Sequence, residues 1–549
     1  MKKISIILLV IFISLTAFGK NHNKTLVKNP VIQGDWSDPG IVRVGNDYYS
    51  VRSTFGWQPG LQIMHSRDLL HWEYIGYGFD GENEAEIRTG EVFNGILGSD
   101  MIYNPNTKEY LIYAPLNFGH YVTMIYVFHS KFPGGPYSPG IRILEHDIDP
   151  GAFVDNDGSI YLTSKRGIIY KLSDDGLSVE KEVSKIETTD VHLKAFGEGP
   201  EINHHGDYYY YTCSEGGTLP YEHQKILSFR SKTINGPWHP NPNNPIKYSI
   251  HTMKSRLQGP GHAELFETQN GEWYMSYFAY ELDYPSLARE MCMEPIEWTK
   301  DGWWKTKSGE IPPMTFEKPD LPTSDIRLNQ SDNFSEKDLG PQWFFHTKPD
   351  YSGLSWSLTE NKGCMRLKNY YGAITMTKKL QRFMMQRLVG KSFEMTTKMA
   401  FSPENKGEMA GLLMYSNMEN YIQYGLFKDK NQTYLRIQYK AGVFNGVEKS
   451  NRHPIKGITQ TLAQIPFDAD QVYLKIKIID PETAWFYYSV DGNNWKKFEN
   501  QEIFFGRGGV PDLGWQHTYW TGTTIGIFID SEGALLHPSY ADFDYFKIQ

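Results

Sequence analysis

A chain of 549 residues exceeds one ordinary hydrophobic core, so two domains are expected. A formal net charge of −9 leaves no basic excess for nucleic acid or an anionic membrane surface. Three widely spaced cysteines, Cys213, Cys292 and Cys364, fit neither a disulfide framework nor a CxxC metal site.

The N-terminus reads Met1-Lys2-Lys3, then an apolar run from Ile4 to Leu15, then Ala17-Phe18-Gly19. A basic start, a short apolar core and small residues at −3 and −1 predict a secretory signal peptide over 1–19, and with it export to the periplasm or the medium. The run is short for a membrane span and no cysteine follows it to carry a lipid, so no membrane partner is expected after cleavage.

Residues 29–316 read as strand, turn and strand without pause, with turn chemistry at Gly45-Asn46-Asp47, Asn156-Asp157-Gly158, Gly206-Asp207 and Asn270-Gly271. One pattern recurs: a polar residue opens an apolar strand, a turn follows, and an aromatic-rich strand returns. The openers are Asp38, Asp100, Asp149, Glu198 and His262, spaced 62, 49, 49 and 64 residues apart. Strands at a period of roughly 40–60 residues predict a β-propeller, here of five blades. Equivalent residues of each blade then face the same way, towards the central channel.

Residues 317–330 carry Pro and polar residues without periodicity and are expected to be a linker. From 331 to 549 the chain is strand-like again, as in Phe393–Phe401, Val472–Ile478 and Trp485–Val490. Alternation with period 2 gives each strand one buried and one wet face, which predicts a β-sandwich. The fold class is all-β throughout. The aromatic load, 15% of residues with 36 Tyr and 14 Trp, suits sheet faces and sugar-binding clefts.

Glycoside hydrolysis needs two carboxyl groups across a small cavity, one ionised to activate water and one holding a proton for the leaving oxygen. Asp38, Asp149 and Glu198 come from three blades and can converge on the channel mouth. A third carboxylate would hold up a neighbour's proton by like-charge repulsion. An isolated Asp-Pro is ordinarily a turn residue. Three carboxylates at equivalent repeat positions point to a site instead. Glu201 and Asp35 lie three residues from Glu198 and Asp38, an odd offset that puts them on the opposite face of an extended segment.

Several stretches resemble glycoside hydrolase family 43, whose members are five-bladed propellers. These are Trp36-Ser37-Asp38-Pro39 with Val44 to Tyr49, Thr54 to Gly60 leading to His65–Leu69 and His71-Trp72, Ile148 to Gly158, and Glu198-Gly199-Pro200. Gly261 to Leu265, Ala288-Arg289-Glu290, Pro295 and Trp298 follow in the same order. The resemblance implies Asp38 as general base, Glu198 as general acid and Asp149 as the residue that tunes and orients the acid. It also implies His262 at the pocket floor near a water or a bound calcium, Arg289 on the sugar, and Trp57 and Phe55 as an apolar wall. Family members invert the anomeric carbon, which implies a separation of roughly 6.5–9.5 Å between the Asp38 and Glu198 carboxyls.

The chain departs from the family at its second opener. Asp100 is retained for the pocket, but Gly98-Ser99 replaces the usual aromatic stretch, which leaves the sugar open. The second domain resembles the concanavalin-like sandwich, a jelly roll, of β-xylosidase-type members, through Asp332-Asn333-Phe334, Gln342-Trp343, Trp356-Ser357-Leu358, Met385-Gln386-Arg387 and Asp544-Tyr545-Phe546. No cofactor is required for this chemistry. Asp332 and Asp542 could hold a structural calcium. The expected partner is an oligosaccharide or polysaccharide carrying terminal xylose or arabinofuranose. A galactan- or arabinan-degrading enzyme of the same fold and a non-catalytic sugar-binding protein are the alternatives.

Overall fold

The computed structural model describes residues 25–549 apart from 81–94, 119–121, 166, 187–196, 219–223, 250–254, 347–351, 370–381, 418, 442–456, 506–520, 533–534 and 536. The predicted signal peptide lies outside the described residues. No helix among them is long and apolar enough to cross a membrane.

Five antiparallel sheets follow one another, spanning residues 40–79, 95–145, 151–185, 198–248 and 257–306. Within a sheet neighbouring strands run antiparallel, some joined by a tight turn, as where Gly45, at a φ of 65°, joins Gly40–Val44 to Asp47–Val51. The strands Gly40–Val44, Asp100–Asn104, Gly151–Val154, Glu198–His205 and Leu257–Glu267 adjoin one another in order, and the fifth returns to the first. This is the predicted propeller. Apolar side chains of neighbouring blades fill the space between sheets. Between the last and first blades these include Trp36, Tyr48, Met64, Trp72, Phe266 and Tyr274.

The ring is closed by the segment ahead of the first blade. Leu26–Lys28 pairs with Thr315–Glu317, the Val31 amide donates to the Met291 carbonyl at 2.8 Å, and the Asn29 side chain exchanges two bonds with the Met293 backbone. Exposed strand edges are covered in this way. Residues 317–330 also lie on the propeller. Leu321 is buried beside Trp36, and the Ser324 amide donates to Asp68 at 2.8 Å.

The second unit stacks a seven-stranded sheet on a six-stranded one. Gln471–Ile479 shows why: Val472, Leu474, Ile476 and Ile478 are buried, and the residues between them are not. Asp332 and Asp542 do not share a calcium position. Asp332 accepts from the Trp343 indole and the Phe334 amide, both at 2.8 Å, whereas Asp542 is forked by Arg366 at 2.7 and 2.8 Å. Protein donors satisfy both carboxylates, which overturns the calcium expectation at this pair.

Trp57 corrects another expectation, because it is no part of a sugar-facing wall. Its loop is tied to the sandwich by paired backbone bonds between Gln58 and Phe345 (2.8 and 2.6 Å). The indole therefore packs on Phe344 (4.9 Å between centroids), His346 (5.3 Å) and Tyr415 (5.8 Å). Trp57→Ala removes a buried aromatic from the interface between domains and is expected to cost about 3–5 kcal/mol, read as a lower denaturant midpoint.

Candidate active site

Asp38, Asp149 and His262 share a backbone device. Each sits just ahead of or within the first strand of its blade with a left-handed φ, 52°, 51° and 51°. Non-glycine residues rarely adopt this conformation, and it turns the side chain out of the strand's alternation. The same device in blades one, three and five brings three polar side chains together. The fourth blade places its left-handed residue one position later, at Gly199 (φ 54°). A Cβ there would lie 2.6 Å from the His262 ring, so only glycine fits.

Asp38 is buried and held from three directions. Arg289 donates to Oδ1 at 2.8 Å, Ser53 donates to Oδ2 at 2.5 Å, and His262 Nδ1 stands 3.5 Å from Oδ1. Arg289 is itself buried, with its guanidinium 4.7 Å from the Phe278 ring and 5.6 Å from the Phe55 ring. Burial works against its charge, but Asp38, together with Tyr280, Asp35 and Asp149, more than offsets that and raises its pKa. Burial keeps His262 below the ordinary histidine range, against the pull of Asp38, so the imidazole is neutral near pH 7.

Asp149 stands between this group and Glu198. Burial first, then the charges of Glu198 and Asp38, push its carboxyl up to about 7. The Gly199 amide donates to it at 3.1 Å. Glu198 is the more open member, with its side chain 24% exposed, and it is ion-paired to Lys165. The Gly98 backbone lies against the group: a Cβ there would come within 2.6 Å of Asp149 and 3.1 Å of His262. The stretch that departs from the family pattern therefore forms part of the pocket itself.

Beyond His262 the channel holds further buried acids. Asp100 accepts from the Met101 and Ala152 amides, both at 2.7 Å, and burial raises it to about 6. Glu264 accepts from the Ile41 amide, and Glu201 stands 3.9 Å from His262 Nε2. Burial and mutual repulsion hold both glutamates well above the carboxylate range. Asp100 and Glu264 thus tie one blade to the next rather than face an open pocket.

The structure brings together Asp38, Asp149, Glu198, His262, Arg289 and, behind Arg289, Phe55. It places Asp100 deeper and Trp57 at the domain interface. The odd-offset argument fails for Glu201. A bulge sets the four residues from Glu198 to Glu201 against the three from Ser214 to Thr212, so both carboxyls reach the channel side. Lys165 carried no motif. Asp35, set aside on the same parity argument, is paired with buried Arg52 at 2.7 Å.

Comparison with known proteins gives matches over both units of the chain. The profile described as "Glycosyl hydrolases family 43" matches residues 27–304, and "Beta xylosidase C-terminal Concanavalin A-like domain" matches 331–549. The chain is 30% identical to a xylan 1,3-beta-xylosidase of a Vibrio species, over 95% of this chain and 99% of that one. It is 31% identical to a non-reducing end alpha-L-arabinofuranosidase of Bacteroides ovatus, over 77% and 79%. Among solved structures, xylan beta-1,4-xylosidase from Bacillus halodurans superposes with a TM-score of 0.81 at 28% identity, over 95% of this chain and all of that one.

The protonation of Asp149 has a consequence for stability. Its folded pKa, about 7, exceeds the unfolded value of about 3.9, so its contribution to stability is whole below about pH 4 and is lost as pH rises through 7. Asp149→Asn cannot ionise. The variant is expected to melt above wild type at pH 8, by about 2–4 °C for each kcal/mol recovered, with the difference vanishing near pH 4 in thermal melts.

Proposed function

The chain belongs to glycosyl hydrolases family 43, and on that premise we propose that it is an exported, inverting exo-glycosidase. It removes terminal xylose or arabinofuranose from plant polysaccharide fragments. The observation that carries this reading is a buried Asp38 paired with Arg289, with Glu198 on another blade near the mouth. In the reaction Asp38 takes a proton from water as the water oxygen attacks the anomeric carbon. Glu198 gives its proton to the departing glycosidic oxygen, so the bond breaks with inversion. Asp149 lies between them, and its pKa, raised to about 7, limits negative charge beside the donor below that pH. Arg289 pairs with Asp38 and presents guanidinium N–H groups towards the sugar site.

Terminal action is supported by the matched relatives, two named as xylosidases and one as a non-reducing end arabinofuranosidase. Export is supported by the basic and apolar pattern of residues 1–19. Gly98-Ser99 in place of the family's aromatic stretch favours a second reading, arabinan or galactan fragments as substrate.

A panel of aryl glycosides (β-xyloside, α-arabinofuranoside, β-galactoside and α-arabinopyranoside), followed by matching oligosaccharides, separates these substrates. Asp38→Asn and Glu198→Gln are each expected to lose about 10²–10⁴-fold in turnover of a natural oligosaccharide. Full activity in either variant would overturn the assignment. NMR of the first-formed sugar should show the inverted anomer. Sequencing of the protein recovered outside the cytoplasm should begin at Lys20.

A further inference from the structure

Lys165 lies in the turn after the strand Ile160–Thr163 of the third blade. Its amide donates to the Ile148 carbonyl at 3.1 Å, and neighbouring Ser164 donates to Asp147 at 2.6 Å. The turn is thereby fastened to the segment that carries Asp149. From there the side chain crosses to the fourth blade, where its ammonium donates to Glu198 Oε1. Among the described residues this is the hydrogen-bond donor that reaches the Glu198 carboxyl. Burial works against the ammonium, but Glu198, Asp149 and Asp147 more than offset it and raise its pKa, so Lys165 is charged across the working range.

We propose that Lys165 is a positioning residue for the proton donor, aiming the Glu198 carboxyl and setting the pH above which the donor has lost its proton. The inference rests on Glu198 being the general acid. A fixed cation beside a carboxyl favours the ionised form, and a fixed anion favours the protonated form. The groups that face Glu198 are Lys165 and Asp149 from the third blade and neutral His262 from the fifth, with Asp38 beyond. Ionised Asp149 and Asp38 push the alkaline limb of the pH–rate profile up, and Lys165 pulls it down. Lys165 takes no proton during turnover. Its effect is on where the carboxyl points and when it is loaded.

The test is the pH dependence of kcat/KM for wild type, Lys165→Met and Lys165→Arg. The substrates are the disaccharide selected by the panel above, xylobiose for a xylosidase, and the matching 4-nitrophenyl glycoside. With the disaccharide, Lys165→Met should move the alkaline limb up by about one pH unit or more and leave the acid limb in place. Lys165→Arg should keep the limb near wild type. With the nitrophenyl glycoside, whose leaving group needs little protonation, the change should be much smaller. A folded Lys165→Met whose limb is unmoved, or moved down, overturns the proposal, as does uniform loss of rate at every pH. Lys165→Gln serves if the methionine variant fails to fold. Glu198→Gln run alongside separates the two failures. If it still turns over the disaccharide, the acid assignment is wrong. If it is inactive while Lys165→Met is unshifted, only the role of Lys165 is wrong.

Discussion

The active site depends on the contact between Arg289 and Asp38. Burying a carboxylate without a partner is so unfavourable that the group ordinarily takes up a proton instead. Asp38 is as buried as its neighbours, yet it has a guanidinium at 2.8 Å and a hydroxyl at 2.5 Å. Among the described residues, Asp149, Asp100, Glu201 and Glu264 share the channel without a lysine or arginine in contact, and burial raises the pKa of each. One pairing therefore distinguishes Asp38 from the buried acids around it. Hydrolysis needs two carboxyls in different protonation states, and here the two stand beside different cations, Asp38 beside buried Arg289 and Glu198 beside the more open Lys165.

The second domain holds the segment that carries Asp38 from behind. Arg387 of the sandwich lies 4.8 Å from the Trp36 ring and donates to the Gln33 and Asp35 carbonyls, both at 3.2 Å, and to the Tyr74 hydroxyl. Arg52 of the first blade pairs with Asp35 and lies 5.7 Å from both Trp36 and the sandwich residue Phe344. Trp36 is thus clasped by two arginines, one from each domain, two residues before the base. The sandwich thereby braces the segment that carries Asp38. The aromatic seam around Trp57 serves the same end, since it fastens the loop that carries Phe55, the ring beneath Arg289.

What was legible in the sequence follows from this physics. The openers could be read because a propeller repeats one environment, so Asp38, Asp149 and His262 recur with the same spacing and the same left-handed backbone. Period 2 in the C-terminal strands could be read because one face of each is buried. Glu201 was misread because parity holds only in a regular strand, and the bulge after Glu198 breaks it. Trp57 was misread because its partners, Phe344 and Tyr415, lie some 290 and 360 positions along the chain, a distance at which no local pattern signals contact. Lys165 belongs to no motif. It matters only because blade three stands beside blade four.

The one-residue offset in the fourth blade accounts for the difference between acid and base. In blades one and three the carboxylate itself occupies the left-handed position, and its side chain is drawn into the buried cluster. In blade four that position belongs to Gly199, which packs against His262, and Glu198 precedes it. The glutamate is longer by a methylene and starts its strand one step earlier, so it stays nearer the mouth, with 24% of its side chain exposed against 9% for Asp38. That is where a leaving oxygen would depart and where a lysine from the next blade can reach. The strain of a left-handed Asp, of order 1–3 kcal/mol, is borne where a carboxylate must be buried and fixed. At the donor, where movement and access to solvent are needed, glycine takes the conformation without it.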